Sequence, residues 1–352
     1  MSNIFREYVK KIGSGVHTGK DLARDEAADA MKLMLLAEAT PAQIGAFLIV
    51  HRIKRPTPEE LAGMLDTYAE LGPKLNVDNI AFNYPVTVLG TPYDGRARIA
   101  PVTILTALIL ATVGVPVVLH GGEEMPTKYG VPLVTLWQGL GVDFSGFSLE
   151  KSQNILEKTG LSFVYLPNHF PQAQQLVTYR EQIGKRPPLA TLELMWSPCS
   201  SPNVHLVCGF VHPPTENLFR ETLKLRNFNH FTTVKGLEGS CDLPQSRTAI
   251  IGMNQPNNNP EWERLHLHPQ DYQLNGKDIS LESTEKLLKY SKQVLEGENN
   301  PLMSLAIYNG GFYLWRCGVC ADLSTGFEQA KTLLTSGKVR QKLQEIVNFS
   351  SI

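Results

Sequence analysis

Cysteine is scarce in this sequence and odd in number, five residues in 352, which argues against a disulfide framework and for a reducing compartment. Net charge is nearly absent too: 33 Lys and Arg stand against 34 Asp and Glu. That balance gives no global argument for a nucleic-acid or membrane partner, though it leaves room for a local basic face. Long apolar runs are missing. The longest, 102–118, is interrupted by Thr103, Thr106, Thr112, Gly114 and Pro116. It is too short and broken for a membrane span and reads as a buried helix followed by a strand. Residues 1–15 mix charge among their apolar positions and lack the hydrophobic region of a secretory signal. Cytoplasm, with no membrane partner, is the expected setting. No internal repeat is present, and the only compositional oddity is the polar, turn-rich stretch 254–260.

What is present is an ordinary globular composition, 42% apolar and 19% charged, in a chain long enough to expect two domains. The first seventy residues carry helix punctuation. Thr40-Pro41-Ala42-Gln43 supplies a capping hydroxyl, a proline where no amide partner is needed, and a glutamine able to reach back to the cap. Thr57-Pro58-Glu59-Glu60 repeats the device, and Gly72-Pro73 stops a helix over 58–71. An earlier helix is expected over 27–37. The proline-marked run 76–85 reads as a hinge. From Val86 the texture alternates: strand at 86–89, helix at 102–113, strand at 115–119, with further strands at 162–166, 205–210 and 231–235. This βα alternation implies a mostly parallel central sheet. The tail 326–347 reads as helical, broken at Ser336-Gly337. The expected class is α/β, with an all-helical domain over 1–76, which helices near 170–185 can join, and a larger α/β domain over 77–352.

The loop Gly90-Thr91-Pro92-Tyr93-Asp94-Gly95 lies between a strand and a helix, where backbone amides and a helix N-terminus can hold phosphate. A glycine-bearing turn at such a place is more often only a turn. Asp94 and His120 sit at the strand ends where parallel-sheet proteins bind ligands, although an aspartate there equally serves to close a turn. Cys317-Gly318-Val319-Cys320 has CxxC spacing without a second pair or a histidine partner, so buried thiols are the reading. His205, His212, His266 and His268 show no ligand pattern with an acidic helper.

The order of capped helices, Gly90-Thr91-x-x-Asp94-Gly95, His120-Gly121, Lys235-Gly236-Leu237-Glu238-Gly239-Ser240-Cys241-Asp242, Asn309-Gly310-Gly311 and Ser336-Gly337-Lys338 resembles the anthranilate phosphoribosyltransferase family nearly end to end. The resemblance implies a phosphoribosyltransferase (nucleoside-phosphorylase-like) architecture with a dimerising helical domain. It also implies a phosphoribosyl-pyrophosphate site at Gly90, Thr91, Asp94, Gly95, Thr103, His120 and Gly121. Arg186 matches the arginine that meets the acceptor carboxylate, and Asp242 retains one magnesium (Mg2+) ligand. The departures are as informative. The family's GTGGDG carries Pro92 and Tyr93 here, removing one amide and adding bulk. Its KHGNRS appears as Leu119-His120-Gly121-Gly122-Glu123-Glu124, trading cations for a neutral group and an anion. Its acidic pair appears as Cys241-Asp242, trading a hard oxygen for a thiol.

Tyr93-Asp94-Gly95-Arg96-Ala97-Arg98 with Pro126-Thr127-Lys128 resembles the YbiB-like branch of the same fold, which implies a nucleic-acid-binding homodimer without anthranilate activity. Arg96, Arg98 and Lys128 would then contact backbone phosphate without base readout, although two arginines after a turn are commonly just solvated. The alternative is a phosphoribosyltransferase using phosphoribosyl pyrophosphate with anthranilate or another acceptor.

Overall fold

A computed structural model describes residues 3–15, 17–201, 204–255 and 261–350. In chain order the elements are α1 (Asn3–Gly13), α2 (Arg24–Leu35), α3 (Pro41–Lys54), α4 (Pro58–Leu71), β1 (Thr87–Leu89), α5 (Thr103–Thr112), β2 (Val117–Gly121), α6 (Leu133–Gly139), α7 (Leu149–Thr159) and β3 (Leu161–Tyr165). Then follow α8 (Leu166–His169), α9 (Pro171–Gln174), α10 (Val177–Ile183), α11 (Leu189–Leu192), β4 (His205–Gly209), α12 (Pro213–Leu225) and β5 (Phe231–Val234). The chain closes with β6 (Ala249–Asn254), β7 (Trp262–Leu267), α13 (Thr284–Leu295), α14 (Pro301–Arg316), α15 (Leu323–Thr335) and α16 (Lys338–Ser350).

The helix caps form as their sequences require. Thr40 Oγ1 accepts from the Gln43 amide and Gln43 Oε1 accepts from the Thr40 amide, and Thr57 and Glu60 make the same exchange at α4. The second helix begins earlier than 27, because Glu26 reaches back to the Ala23 amide at 2.7 Å. It ends earlier than 37, where Ala37 turns to a φ of 57°. The tail breaks where expected, at Gly337 with a φ of 76°.

The seven strands form one sheet in the order β3-β2-β1-β4-β5-β6-β7. The first five are parallel. β6 and β7 close one edge antiparallel, an addition the sequence patterns did not indicate. Residues 256–260 of the turn-rich stretch lie outside the described residues. Alternation along the strands sorts the core into two layers. Leu89, Val117 and Leu119 pack with α5 and α14 on one face. Val88, Val118, Val164 and Leu206 share a cluster with Phe47 and Tyr68 of the N-terminal helices and with Trp196. That sharing joins the second face of the sheet to the core of α3 and α4 and of the segment that carries Trp196. Among the described residues no helix is long and apolar enough to cross a membrane.

Candidate functional site

At the C-terminal end of β1 the chain turns at once. A side chain at Gly90 would meet the Leu194 and Val207 carbonyls at 2.6 Å, and one at Gly95, where φ is 71°, would strike the Gly130 carbonyl at 2.4 Å. Both positions therefore require glycine. Two of the amides expected to face phosphate, those of Gly90 and Gly95, are engaged by protein carbonyls, as is that of Arg96 beyond them. Gly90 donates to Val207 at 2.8 Å, Gly95 to Pro92 at 3.0 Å, and Arg96 to Val131 at 3.3 Å. Thr91 is buried.

Beyond the turn lies a charged cluster. Arg96, 3% exposed, donates from Nη1 to Ser240 Oγ at 2.7 Å and Asp242 Oδ2 at 2.9 Å, while its Nε lies 3.4 Å from Glu238 Oε1. Asp242 also accepts from the Val102 amide at 3.1 Å and from Thr103 Oγ1 at 2.9 Å. Glu238, held at a φ of 54°, accepts from the amides of Ala97, Arg98 and Ile99 and pairs with Lys128 Nζ at 2.8 Å. Burial alone would push the Glu238 carboxyl up. Lys128 and the Ile99 and Arg98 amides more than offset this and hold it at about 2. Arg98 keeps only a 3.8 Å approach to Glu238 and its side chain is 80% exposed.

These positions correct the expected phosphate contacts. Arg96 is buried and Lys128 is paired, because carboxylates from the segment after β5 reach back to them. Of the three, only Arg98 has a mostly exposed side chain, with its single 3.8 Å approach to Glu238.

On the other side of the turn, Tyr93 folds inward, 4% exposed. Its hydroxyl bonds His120 Nδ1, and the His120 ring packs edge-on to Tyr93 and to Trp196, at centroid separations of 5.4 and 5.1 Å. Burial lowers His120 to about 3 and raises the Tyr93 hydroxyl well above its ordinary value. Both are therefore neutral, and the two share one hydrogen bond whose direction follows the imidazole tautomer. Gly121 pairs with Tyr165 in the β2–β3 register, and Glu123 accepts from the Tyr165 hydroxyl at 2.6 Å. Arg186 Nε lies 3.2 Å from Asp94 Oδ2, and its carbonyl accepts from Arg52, so the α10–α11 segment straps the helices to the loop. Between these elements and α12 opens a cleft of about 990 Å³, lined among others by Arg52, Arg55, Arg186, His212, Leu194 and Glu238.

Two matches cover most of the chain. Residues 6–72 match the glycosyl transferase family's helical bundle domain and residues 86–340 its a/b domain. The chain belongs to the glycosyl transferase family so described. Among relatives, the anthranilate phosphoribosyltransferase of Aromatoleum aromaticum is 26% identical over 334 residues, covering 94% of each chain. That of Polynucleobacter necessarius is 26% identical over 331 residues, covering 93% of this chain and 94% of its own. Among solved structures, the anthranilate phosphoribosyltransferase of Thermus thermophilus superposes with a TM-score of 0.79 at 20% identity over the whole of both chains. The Saccharomyces cerevisiae protein in complex with PRPP and Mg superposes at 0.81 and 15% identity, covering 99% and 98%. The helical domain and the mostly parallel sheet are thus those of this family's fold.

The magnesium that the family fold implies does not fit the residues present. Asp242 is engaged by a guanidinium, two hydrogen-bond donors and no open face, and its neighbour Cys241 is buried, with a thiol pushed well above its usual range by burial and by Asp242. No group of three or more His, Cys, Asp or Glu among the described residues could hold a metal ion. Cys317 and Cys320 are free, and burial raises both thiols. Sequence reasoning missed Glu238 and Ser240 as partners of Arg96, and Arg52 and Arg55 as cleft residues. The capped end of α3, rich in basic residues, was the signal available for the latter pair.

Proposed function

We propose that this chain is a binding member of its family: a homodimer, of the YbiB-like kind, that takes single-stranded nucleic acid in the cleft and does not transfer phosphoribosyl to anthranilate. The observation that carries the reading is Tyr93. A phenol hydrogen-bonded to His120, whose ring in turn packs on Trp196, occupies a position in the turn that the family resemblance assigns to pyrophosphate, and displacing it would bare a buried ring. The cleft offers a polyanion Arg52, Arg55 and Arg186, with Arg98 exposed nearby, and prolines on which bases can lie. Exposed Ile4 and Ile53, 59% and 73% accessible on α1 and α3, support self-association through the helices.

The relatives favour a second reading. Each one named above is called an anthranilate phosphoribosyltransferase, and each aligns over nine-tenths of this chain; the Saccharomyces structure carries PRPP and Mg. A phosphoribosyltransferase using that donor, with anthranilate or another acceptor, is the reading these likenesses support. Two measurements separate the two. Calorimetry with phosphoribosyl pyrophosphate and magnesium is expected to give no saturable heat, and anthranilate consumption no useful rate; turnover near about 1 per second or above would decide for the transferase. Fluorescence anisotropy with a labelled single-stranded oligonucleotide is expected to show binding that falls linearly on a log-log salt plot. Light scattering is expected to give twice the monomer mass.

A further inference from the structure

We propose that Arg96 is a covalently tethered cation standing where a divalent ion would otherwise be drawn, and that the chain neither admits nor needs a metal there. The observations are local and independent of what enters the cleft. Two carboxylates, Glu238 and Asp242, and two hydroxyls, Ser240 and Thr103, converge from the segment after β5 and the start of α5. Thr103, Ser240 and Asp242 are buried, and the side chain of Glu238, at the edge of the cleft, is 3% exposed. Such an oxygen set is the kind that hard divalent cations prefer, and two buried carboxylates without a counter-charge are strongly disfavoured.

In this chain the guanidinium meets that demand. Arg96 Nη1 is within hydrogen-bond distance of both Ser240 Oγ and Asp242 Oδ2, and Nε faces Glu238 Oε1. Lys128 holds the outer oxygen of Glu238. A divalent ion brought to Asp242 would therefore face a fixed positive charge about 3 Å away from its ligand oxygen, and binding would require the arginine to leave a buried pocket. The main chain at the base of that side chain is pinned as well: the Arg96 amide donates to Val131 and its carbonyl accepts from the Val131 amide, which fixes the Cα from which the guanidinium reaches. Guanidinium is charged at every working pH, so the replacement is permanent. A ligand phosphate approaching from the cleft meets fixed cations directly and no bridging metal.

The test titrates Mn2+ by electron paramagnetic resonance into the full chain and its variants. The parent is expected to show no saturable site. Arg96→Ala, which leaves Asp242 without a counter-charge and Glu238 paired with Lys128, is expected to gain one Mn2+ site at least about tenfold tighter than any site in the parent. Asp242→Asn added to Arg96→Ala is expected to abolish the gain, and Arg96→Lys to show none. One Mn2+ bound by the parent and lost in Asp242→Asn would overturn the proposal, as would a folded Arg96→Ala that gains nothing. Should the alanine variant not fold, Arg96→Gln replaces it, since the amide keeps a donor but carries no charge. The parent titration decides in any case whether a metal is admitted.

Discussion

On one side of the turn after β1, Arg96, Glu238, Ser240, Asp242 and Lys128 hold one another by charge. On the other, Tyr93, His120 and Trp196 pack as neutral rings. The first side is nearly saturated: Asp242 and Glu238 each accept from several donors, and only Arg96 Nη2 is without a partner. The second side is hydrogen-bond poor, with Asp94 Oδ1, Arg180 Nε and Glu193 Oε2 buried and unpartnered around the rings. The contrast teaches that two different devices close one turn. Electrostatic closure is rigid and costly to break from one end, because an unpaired buried ion remains. Aromatic closure rests on packing and one hydrogen bond, and breaking it costs less.

The largest expected effect therefore lies on the charged side. Asp242→Ala leaves the Arg96 guanidinium with Glu238 at 3.4 Å as its one carboxylate and removes the acceptor of the Val102 amide and Thr103 hydroxyl. A loss of about 3–5 kcal/mol is expected in urea unfolding. A loss below about 1 kcal/mol would show that water reaches Arg96 and that the saturation is only apparent. Tyr93→Phe should cost less, about 1–2 kcal/mol, since it deletes one hydroxyl and leaves the buried His120 Nδ1 without its partner.

Much of the scaffold was legible beforehand, and the reason is locality. Thr40 with Gln43 and Thr57 with Glu60 meet their partners three residues away, so the caps of α3 and α4 follow from sequence alone. Strands β1, β2, β4 and β5 announce themselves through β-branched runs between turns. The site was legible only in place. Arg96 and Glu238 are 142 residues apart, and nothing in the dipeptide pattern of Arg96 and Arg98 says that the first is buried and the second is not. That difference is imposed by carboxylates on a distant loop. Tyr93 was seen as bulk, but its partner His120 could be paired with it only once β1 and β2 were adjacent in the sheet. The antiparallel edge of β6 and β7 escaped because the Trp262–Leu267 segment, half exposed, carries as many polar as apolar residues.

Acid sharpens the comparison, because the two sides titrate in different windows. His120 is lowered from about 6.5 to about 3 by burial, so the unfolded chain binds its proton first and stability falls as pH drops from about 6.5 toward 3. Glu238 is held at about 2. Its contribution is complete above its ordinary value near 4.5 and is lost below that, as pH falls toward 2. His205 and His230 are also lowered, His205 well below its ordinary value and His230 to about 4, so the parent's slope near pH 5 is a sum. The difference between the parent and His120→Phe isolates one residue: the variant's melting temperature should fall less between pH 7 and pH 5. Equal falls would mean that His120 is not held neutral.

The smallest effect on stability, and the most specific effect on binding, is expected at Arg98. Its side chain is 80% exposed, with a single 3.8 Å approach to Glu238, and an exposed pair of that length contributes little. Arg98→Ala should therefore change unfolding free energy by less than about 0.5 kcal/mol. If the proposed cleft binding is right, the same variant removes one phosphate contact, and the slope of log affinity against log salt should shrink by roughly 1. Arg96→Gln supplies the contrast. It removes the charge that pairs with Asp242 inside the cluster, so it should lower stability and leave the salt slope unchanged. A salt slope that responds to Arg96→Gln and not to Arg98→Ala would mean that the buried guanidinium reaches the ligand, and the division between a sealed charge cluster and a free cation beside the cleft would fail.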